Sequence, residues 1–264
     1  MKYIFYYLIV SSLFFTGISA QELNIENEMV NQISLLGEEN SFAYVDLKLT
    51  SEELDLIDQL KFDQLPEGAS VQYDRFGDLH LLKEELTAFL KSIGNDNPDV
   101  ISIVAEVISK TTREVVSASN KESAWVCVRA SRPNTNFDIP RWHMDGAYYG
   151  LNGPYPYPEL VFKFAATLKG SPTLLYNLTQ DQRDVFNTHW NDRQFLSEFL
   201  DLSKAESPKR GEGVFFIVAN HQIAAAHSEP PMDSNRLFFS ILVGNKSEIE
   251  ELYLRWHPQN SSSN

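Results

Sequence analysis

Three side chains in the second half of the chain could hold a metal ion, and a fourth could hold an anion beside it. In Arg141-Trp142-His143-Met144-Asp145-Gly146 a histidine and an aspartate stand two apart. An extended backbone sends such residues to the same face, so two ligands would converge. Further on, Ile223-Ala224-Ala225-Ala226-His227 ends a predicted strand on a histidine, and Arg236-Leu237-Phe238-Phe239-Ser240 begins the next on an arginine. Two histidines and one carboxylate occupy one side of an octahedral ferrous ion and leave the other side open, which suits a bidentate organic acid plus O2. A redox-inert structural site has no use for such vacancies. Alternation from Arg236 puts Phe238 and Ser240 on the arginine's face, and Leu237, Phe239 and Ile241 on the other. A guanidinium on so apolar a strand costs free energy unless an anion meets it.

Composition narrows the alternatives. With 264 residues and 43% apolar side chains, the chain can bury one substantial core, so one catalytic domain is expected. Acidic residues outnumber basic ones 36 to 22, the formal net charge is −14, and no Lys/Arg run occurs. That is the opposite of the footprint phosphate-backbone binding requires, so no nucleic-acid partner is expected. The single Cys127 can form neither an intramolecular disulfide nor a thiolate zinc site. Any metal therefore sits on histidine and carboxylate. A hydrolase has little support, because neither a Gly-x-Ser-x-Gly elbow nor a His-Glu-x-x-His helix is present. His80 in a predicted helix, His189 in an insertion, His221 near a turn and His257 in the tail read as surface or packing residues. Lys163 shares a face with Ala165 and Thr167 and could supplement Arg236, but a stem snorkelling to the surface is the preferred reading.

Residues 1–20 differ from the rest: Met1 and Lys2, an apolar run from Tyr3 to Phe15, then Thr16-Gly17-Ile18-Ser19-Ala20 before polar Gln21-Glu22. This is a signal-peptide layout with Ala20 as the last residue removed, and it implies a periplasmic or secreted product. An uncleaved membrane anchor is the alternative. After cleavage no stable membrane partner is expected, since an acidic surface repels anionic lipid. N-terminal sequencing should find Gln21 first; a membrane-bound protein retaining Met1 would overturn this. Asn177, Asn245 and Asn260 head Asn-x-Ser/Thr sequons, which would be glycosylated only in a eukaryotic secretory route.

Something must hold these residues in place. From 21 to 115 the pattern is helical and reads as a region packing on the core. Thr50 to Glu53 forms a capping box, and Leu79, Leu82, Leu86, Phe89, Leu90 and Ile93 repeat at helical spacing. Pro98 suits a first helical position after Asn97, and Val100, Ile101, Val104, Val107, Ile108 and Thr111 make a stripe. From 116 to 255 short β-rich runs take over: Ala124 to Ala130, Leu160 to Leu168, Thr173 to Tyr176, Val214 to Val218, Ile223 to His227 and Arg236 to Val243. Residues 179–202, opened by a Thr179-x-x-Gln182 box, read as a helical insert, and 256–264 as a disordered tail. The loop from Tyr148 to Pro158, directly after the ligand pair, is either a lid or a rigid surface loop.

His143-x-Asp145, then distant His227, then Arg236 nine residues on, resembles the signature of the 2-oxoglutarate and iron(II)-dependent oxygenase superfamily. The resemblance covers about residues 122 to 245. It implies a double-stranded β-helix, or jelly-roll, core, which with the N-terminal helical region and the helical insertion read above makes an α+β protein. It further implies His143, Asp145 and His227 as Fe(II) ligands, and Arg236 as the partner of the distal carboxylate of 2-oxoglutarate. Leu168-Lys169-Gly170-Ser171-Pro172-Thr173 and His227-Ser228-Glu229-Pro230-Pro231 also look like a group of bacterial members with no assigned substrate. In some relatives a Ser or Thr two residues beyond the Arg assists it. Phe238 stands there in this chain, so Ser240, Thr173 and Tyr176 are the candidates for that cosubstrate contact. The implied reaction couples oxidative decarboxylation of 2-oxoglutarate by O2 to hydroxylation of a small-molecule or peptide substrate. Halogenation is disfavoured, because halogenating relatives lack the carboxylate that Asp145 supplies. The rival class is a secreted jelly-roll module that binds a metal or ligand without oxygenase activity.

Overall fold

The structure, a computed structural model, describes residues 20–146, 161–219 and 222–257, with side chains from Ile25 onward. Residues 1–19 of the expected signal peptide, the loop from Tyr148 to Pro158, His221 and residues 258–264 lie outside the described residues.

Helix starts follow their local chemistry. In α2 (Ser51–Asp58) the Thr50 hydroxyl accepts from the Glu53 backbone N–H, and the Glu53 carboxylate accepts from the Thr50 N–H. In α4 (Pro98–Ala118) Pro98 takes the first turn, where its missing N–H costs nothing, and the Asn97 side chain accepts from the Asp99 N–H. With α1 (Ala20–Ser34) and α3 (Leu82–Ser92), these helices lay buried stripes such as Leu82, Leu86 and Leu90 against one face of a sheet. The sheet answers with alternate residues, among them Val126, Val128, Phe164, Leu237, Phe239 and Ile241.

That sheet has six antiparallel strands in the order β1 (Phe42–Asp46), β6 (Glu212–Ile217), β4 (Phe162–Lys169), β8 (Arg236–Gly244), β3 (Ser123–Ser131) and β2 (Ser70–Gly77). A smaller sheet pairs β5 (Leu174–Tyr176) with β7 (Ala226–Ser228). Two isolated bridges widen it, His143 to His227 on one side and Leu175 to Glu206 on the other. From β3 onward the chain passes repeatedly between the two sheets. Leu175 and Ala225 pack with Trp125, Ala165, Phe216 and Leu242, so the small sheet faces the side of the large one that the helices leave uncovered.

The region 21–115 is not purely helical. Strands β1 and β2 interrupt it and take the two edges of the large sheet. A C-terminal helix, α7 (Lys246–Trp256), was also not anticipated; it buries Ile249 and Leu252 and carries Trp256, which the sequence reading had placed in a disordered tail. The insert forms α5 (Gln180–Thr188), opened by the Thr179/Gln182 box, then α6 (Arg193–Phe199) and a short turn at Leu202–Lys204. Its Phe186 and Leu196 pack with Trp142, Tyr176 and Leu178. No helix among the described residues is long and apolar enough to cross a membrane.

Candidate metal centre

Cross-strand pairing brings the two histidines together. The His143 N–H donates to the His227 carbonyl and the His227 N–H to the His143 carbonyl, both at 2.9 Å, so the two residues sit directly opposite and project to one face. Their rings lie 4.2 Å apart between centroids, and His227 also packs on Phe216 of the large sheet. Parity sorts the neighbours. Trp142 joins the cluster under the insert, with Met144 packed against it, while His143 and Asp145 line the cavity between the sheets. The Ala219 N–H donates to the Asp145 carbonyl and pins the segment.

One oxygen of Asp145, Oδ1, lies 3.6 Å from His227 Nε2 and 3.8 Å from His143 Nε2, and the three ligand atoms all fall within 4.8 Å of one another. Metal bonds of about 2.0–2.2 Å place neighbouring ligand atoms about 3–3.6 Å apart, so small rotations close the set around one ion. The protonation states also suit a metal. Burial and the neighbouring His227 push the His143 pKa down to about 4, so the imidazole is neutral at physiological pH. Burial alone would raise the Asp145 carboxyl, but Lys163, then His227, outweigh it and hold it well below the usual carboxylate range.

Lys163 is not a snorkelling surface residue. It points inward from β4 with its Nζ 3.2 Å from Asp145 Oδ2, leaving Oδ1 for the histidine side. The cation thus fixes which oxygen can ligate. Because partners that orient metal ligands are commonly worth 10- to 100-fold in affinity, Lys163→Met should weaken metal binding about tenfold without unfolding the protein. Tighter binding in this variant would show that charge repulsion outweighs orientation.

Arg236 opens β8 at the other end of the cavity and is 2% exposed. Its Nε donates to the Ser171 carbonyl at 2.9 Å, one terminal nitrogen donates to Thr173 Oγ1 at 3.0 Å and Thr167 Oγ1 at 3.3 Å, and the group lies 4.7 Å over the Phe238 ring. Among the described residues no carboxylate pairs with it. Burial pushes its pKa down to about 10, which still leaves it charged at neutral pH. Gly170 permits this placement: it adopts φ +84°, and a Cβ there would sit 2.5 Å from the Asn235 carbonyl and 3.0 Å from the Arg236 Cα. Gly170→Ala should therefore cost about 1–3 kcal/mol, a melting temperature lower by several degrees. A variant melting like the wild type would contradict the contact.

The residues expected from the sequence now have places. His143, Asp145, His227, Arg236, Thr173 and Ser240 all line one cavity of about 400 Å³. Thr173 touches the guanidinium, whereas no hydrogen bond joins Ser240 to it among the described residues. Tyr176 does not belong to this set. Leu175 faces the large sheet, so alternation turns Tyr176 outward, where its ring meets Trp142 edge-on. Thr167, Arg129, Arg141 and Glu229 were not foreseen. The shared parity of Lys163, Ala165 and Thr167 was the available signal for Thr167. Arg141 grips Glu229 with two bonds of 2.6 and 3.3 Å. His80, His189 and His257 lie elsewhere, against Asp78, Phe195 and Tyr253.

Fold and site together define an antiparallel two-sheet scaffold with a two-histidine, one-carboxylate centre and a buried arginine in one cavity. No protein-family model matches the sequence, and no curated protein does. Similar solved structures include prolyl hydroxylases and a dioxygenase. A viral collagen prolyl hydroxylase from Paramecium Bursaria Chlorella virus-1 is 13% identical, with 78% of this chain and 91% of that chain covered and a TM-score of 0.40. A Pseudomonas putida prolyl-4-hydroxylase is 9% identical, with 83% and 98% covered and a TM-score of 0.40. The Arabidopsis thaliana dioxygenase for auxin oxidation 1, solved with 2-oxoglutarate, is 7% identical, with 89% and 95% covered and a TM-score of 0.43. At these scores the likeness carries no argument, and the functional reading rests on the geometry of the site itself.

Proposed function

We propose that this chain is a 2-oxoglutarate and iron(II)-dependent oxygenase, built on a double-stranded β-helix, that hydroxylates a small molecule or peptide. One observation carries the reading: a buried guanidinium with no carboxylate of its own among the described residues shares a cavity with a two-histidine, one-carboxylate set. A lone metal site does not need that cation, but a dicarboxylate cosubstrate bound by the metal at one end does.

In this reading His143, Asp145 and His227 would hold a ferrous ion, and Lys163 keeps Asp145 Oδ2 turned away from the histidines. Arg236 fixes the distal carboxylate of 2-oxoglutarate by charge-assisted hydrogen bonds, with Thr173 and Thr167 holding the guanidinium in place. Phe238 floors that pocket and keeps water from the ion pair. When bound, iron, cosubstrate and O2 would supply oxidative decarboxylation to succinate and CO2, coupled to hydroxylation of a nearby C–H bond. Residues 1–20 support action outside the cytoplasm.

The test is succinate release from 2-oxoglutarate by the purified protein, with and without Fe(II) and O2. Release that requires both supports the reading. A protein that binds metal but shows no such release with any substrate tried would favour a binding module.

A further inference from the structure

The described residues that line the cavity carry a charge opposite to that of the chain. Arg129, Arg141, Lys163 and Arg236 face only Asp145 and Glu229, an excess of two positive charges in a protein of net charge −14. Most of these cations are assigned. Arg141 has Glu229, Lys163 has Asp145, and Arg236 would have the cosubstrate. Among the described residues Arg129 has only a long, shared ion pair. Its Nε and one terminal nitrogen donate to the neutral Gln72 Oε1 at 3.3 and 3.0 Å, and its nearest paired carboxylate, Glu229, is 3.7 Å away and already gripped by Arg141. A ferrous ion adds two positive charges and 2-oxoglutarate removes two, so the excess persists in the loaded site.

Arg129 sits on β3 opposite Phe238 of β8 and Gln72 of β2, on the same face as Cys127 and Trp125. Trp125 and Trp256, 5.4 Å apart between ring centroids, extend this side of the cavity as an aromatic wall, and Trp256 is 57% exposed. A planar guanidinium recognises an oxyanion bidentately, and an aromatic wall accepts a flat or apolar body.

We propose that the substrate is a small organic anion whose carboxylate or phosphate is received by Arg129 and whose apolar body lies along Trp125 and Trp256. This assignment rests on the oxygenase reading. It makes Arg129 a specificity residue, separate from the cosubstrate site at Arg236.

The test uses anaerobic protein loaded with Fe(II) and 2-oxoglutarate, titrated by calorimetry with benzoate, 3-phenylpropanoate and phenyl phosphate, and with benzamide, 3-phenylpropanamide and phenol as uncharged counterparts. At least one anion should bind tenfold or more tightly than its counterpart, since a charge-assisted pair is worth that much. Preference for the acids or for the phosphate identifies the charged group. Arg129→Gln should erase the difference while 2-oxoglutarate affinity, titrated separately, stays within about twofold. Equal binding of every anion and its counterpart overturns the assignment. So does an Arg129→Gln protein that loses 2-oxoglutarate affinity, because Arg129 would then serve the cosubstrate. Failure of the wild type to bind 2-oxoglutarate at all sinks the oxygenase reading itself, and is seen before any probe is added.

Discussion

Arg236→Gln should raise the 2-oxoglutarate requirement about 10- to 150-fold while iron still binds. Glutamine keeps much of the side-chain volume and can still donate to the Ser171 carbonyl in place of Arg236 Nε, but it loses the charge and the reach to Thr173. A charge-assisted hydrogen bond contributes on the order of 1.5–3 kcal/mol, which converts to that range of affinity. The arginine stands apart from the three candidate metal ligands, at the start of β8 and against Thr173 and Ser171. Its loss therefore separates the two binding events. Removing a guanidinium that has no carboxylate partner among the described residues also removes a desolvation cost, which offsets the loss of its bonds to Thr173 and Thr167. Unchanged 2-oxoglutarate dependence would make Arg236 a structural residue, and equal loss of iron and cosubstrate would indicate misfolding.

Replacing His143, Asp145 or His227 by alanine should have the larger effect. Each supplies one of three converging ligand atoms. Since partners that merely orient ligands cost 10- to 100-fold, loss of a ligand should lower iron affinity by more than about 100-fold and abolish turnover. The fold should survive. His143 and His227 are joined through backbone hydrogen bonds that alanine keeps, and Asp145 is anchored to Ala219 through its carbonyl. Full activity in any one variant removes that residue from the ligand set, while retained circular dichroism with lost iron supports it.

That His143 and Asp145 share a face was readable from the sequence because it depends on strand parity alone. His143 and Asp145 needed only an extended backbone, and Arg236 only its place on an apolar strand. The side Tyr176 takes was not legible, because parity gives faces but not which face turns inward. That choice is made by the pairing of Leu175 with His227. Lys163 was misjudged for a related reason. A lysine alternating with Ala165 and Thr167 looks the same whether its face meets solvent or a cavity, and only the small sheet lying opposite decides. Strands β1 and β2 were hidden because Phe42-Ala43-Tyr44-Val45-Asp46 is short and β2 is an edge strand set among helical stretches. Helix α7 did leave a trace: Asn245 and Glu248 have capping-box spacing, and Ile249 and Leu252 lie on one face. Capping boxes elsewhere were legible because both partners are local, whereas the charge excess of the cavity comes from residues on several separate segments.

The most direct test of the central claim is anaerobic titration of the purified protein with Fe(II) and then 2-oxoglutarate, followed in the visible spectrum. The account predicts a charge-transfer band that needs both components, saturates at one equivalent of iron, disappears in His227→Ala, and requires more 2-oxoglutarate in Arg236→Gln. A wild-type protein that binds iron but gives no band at any 2-oxoglutarate concentration would contradict it.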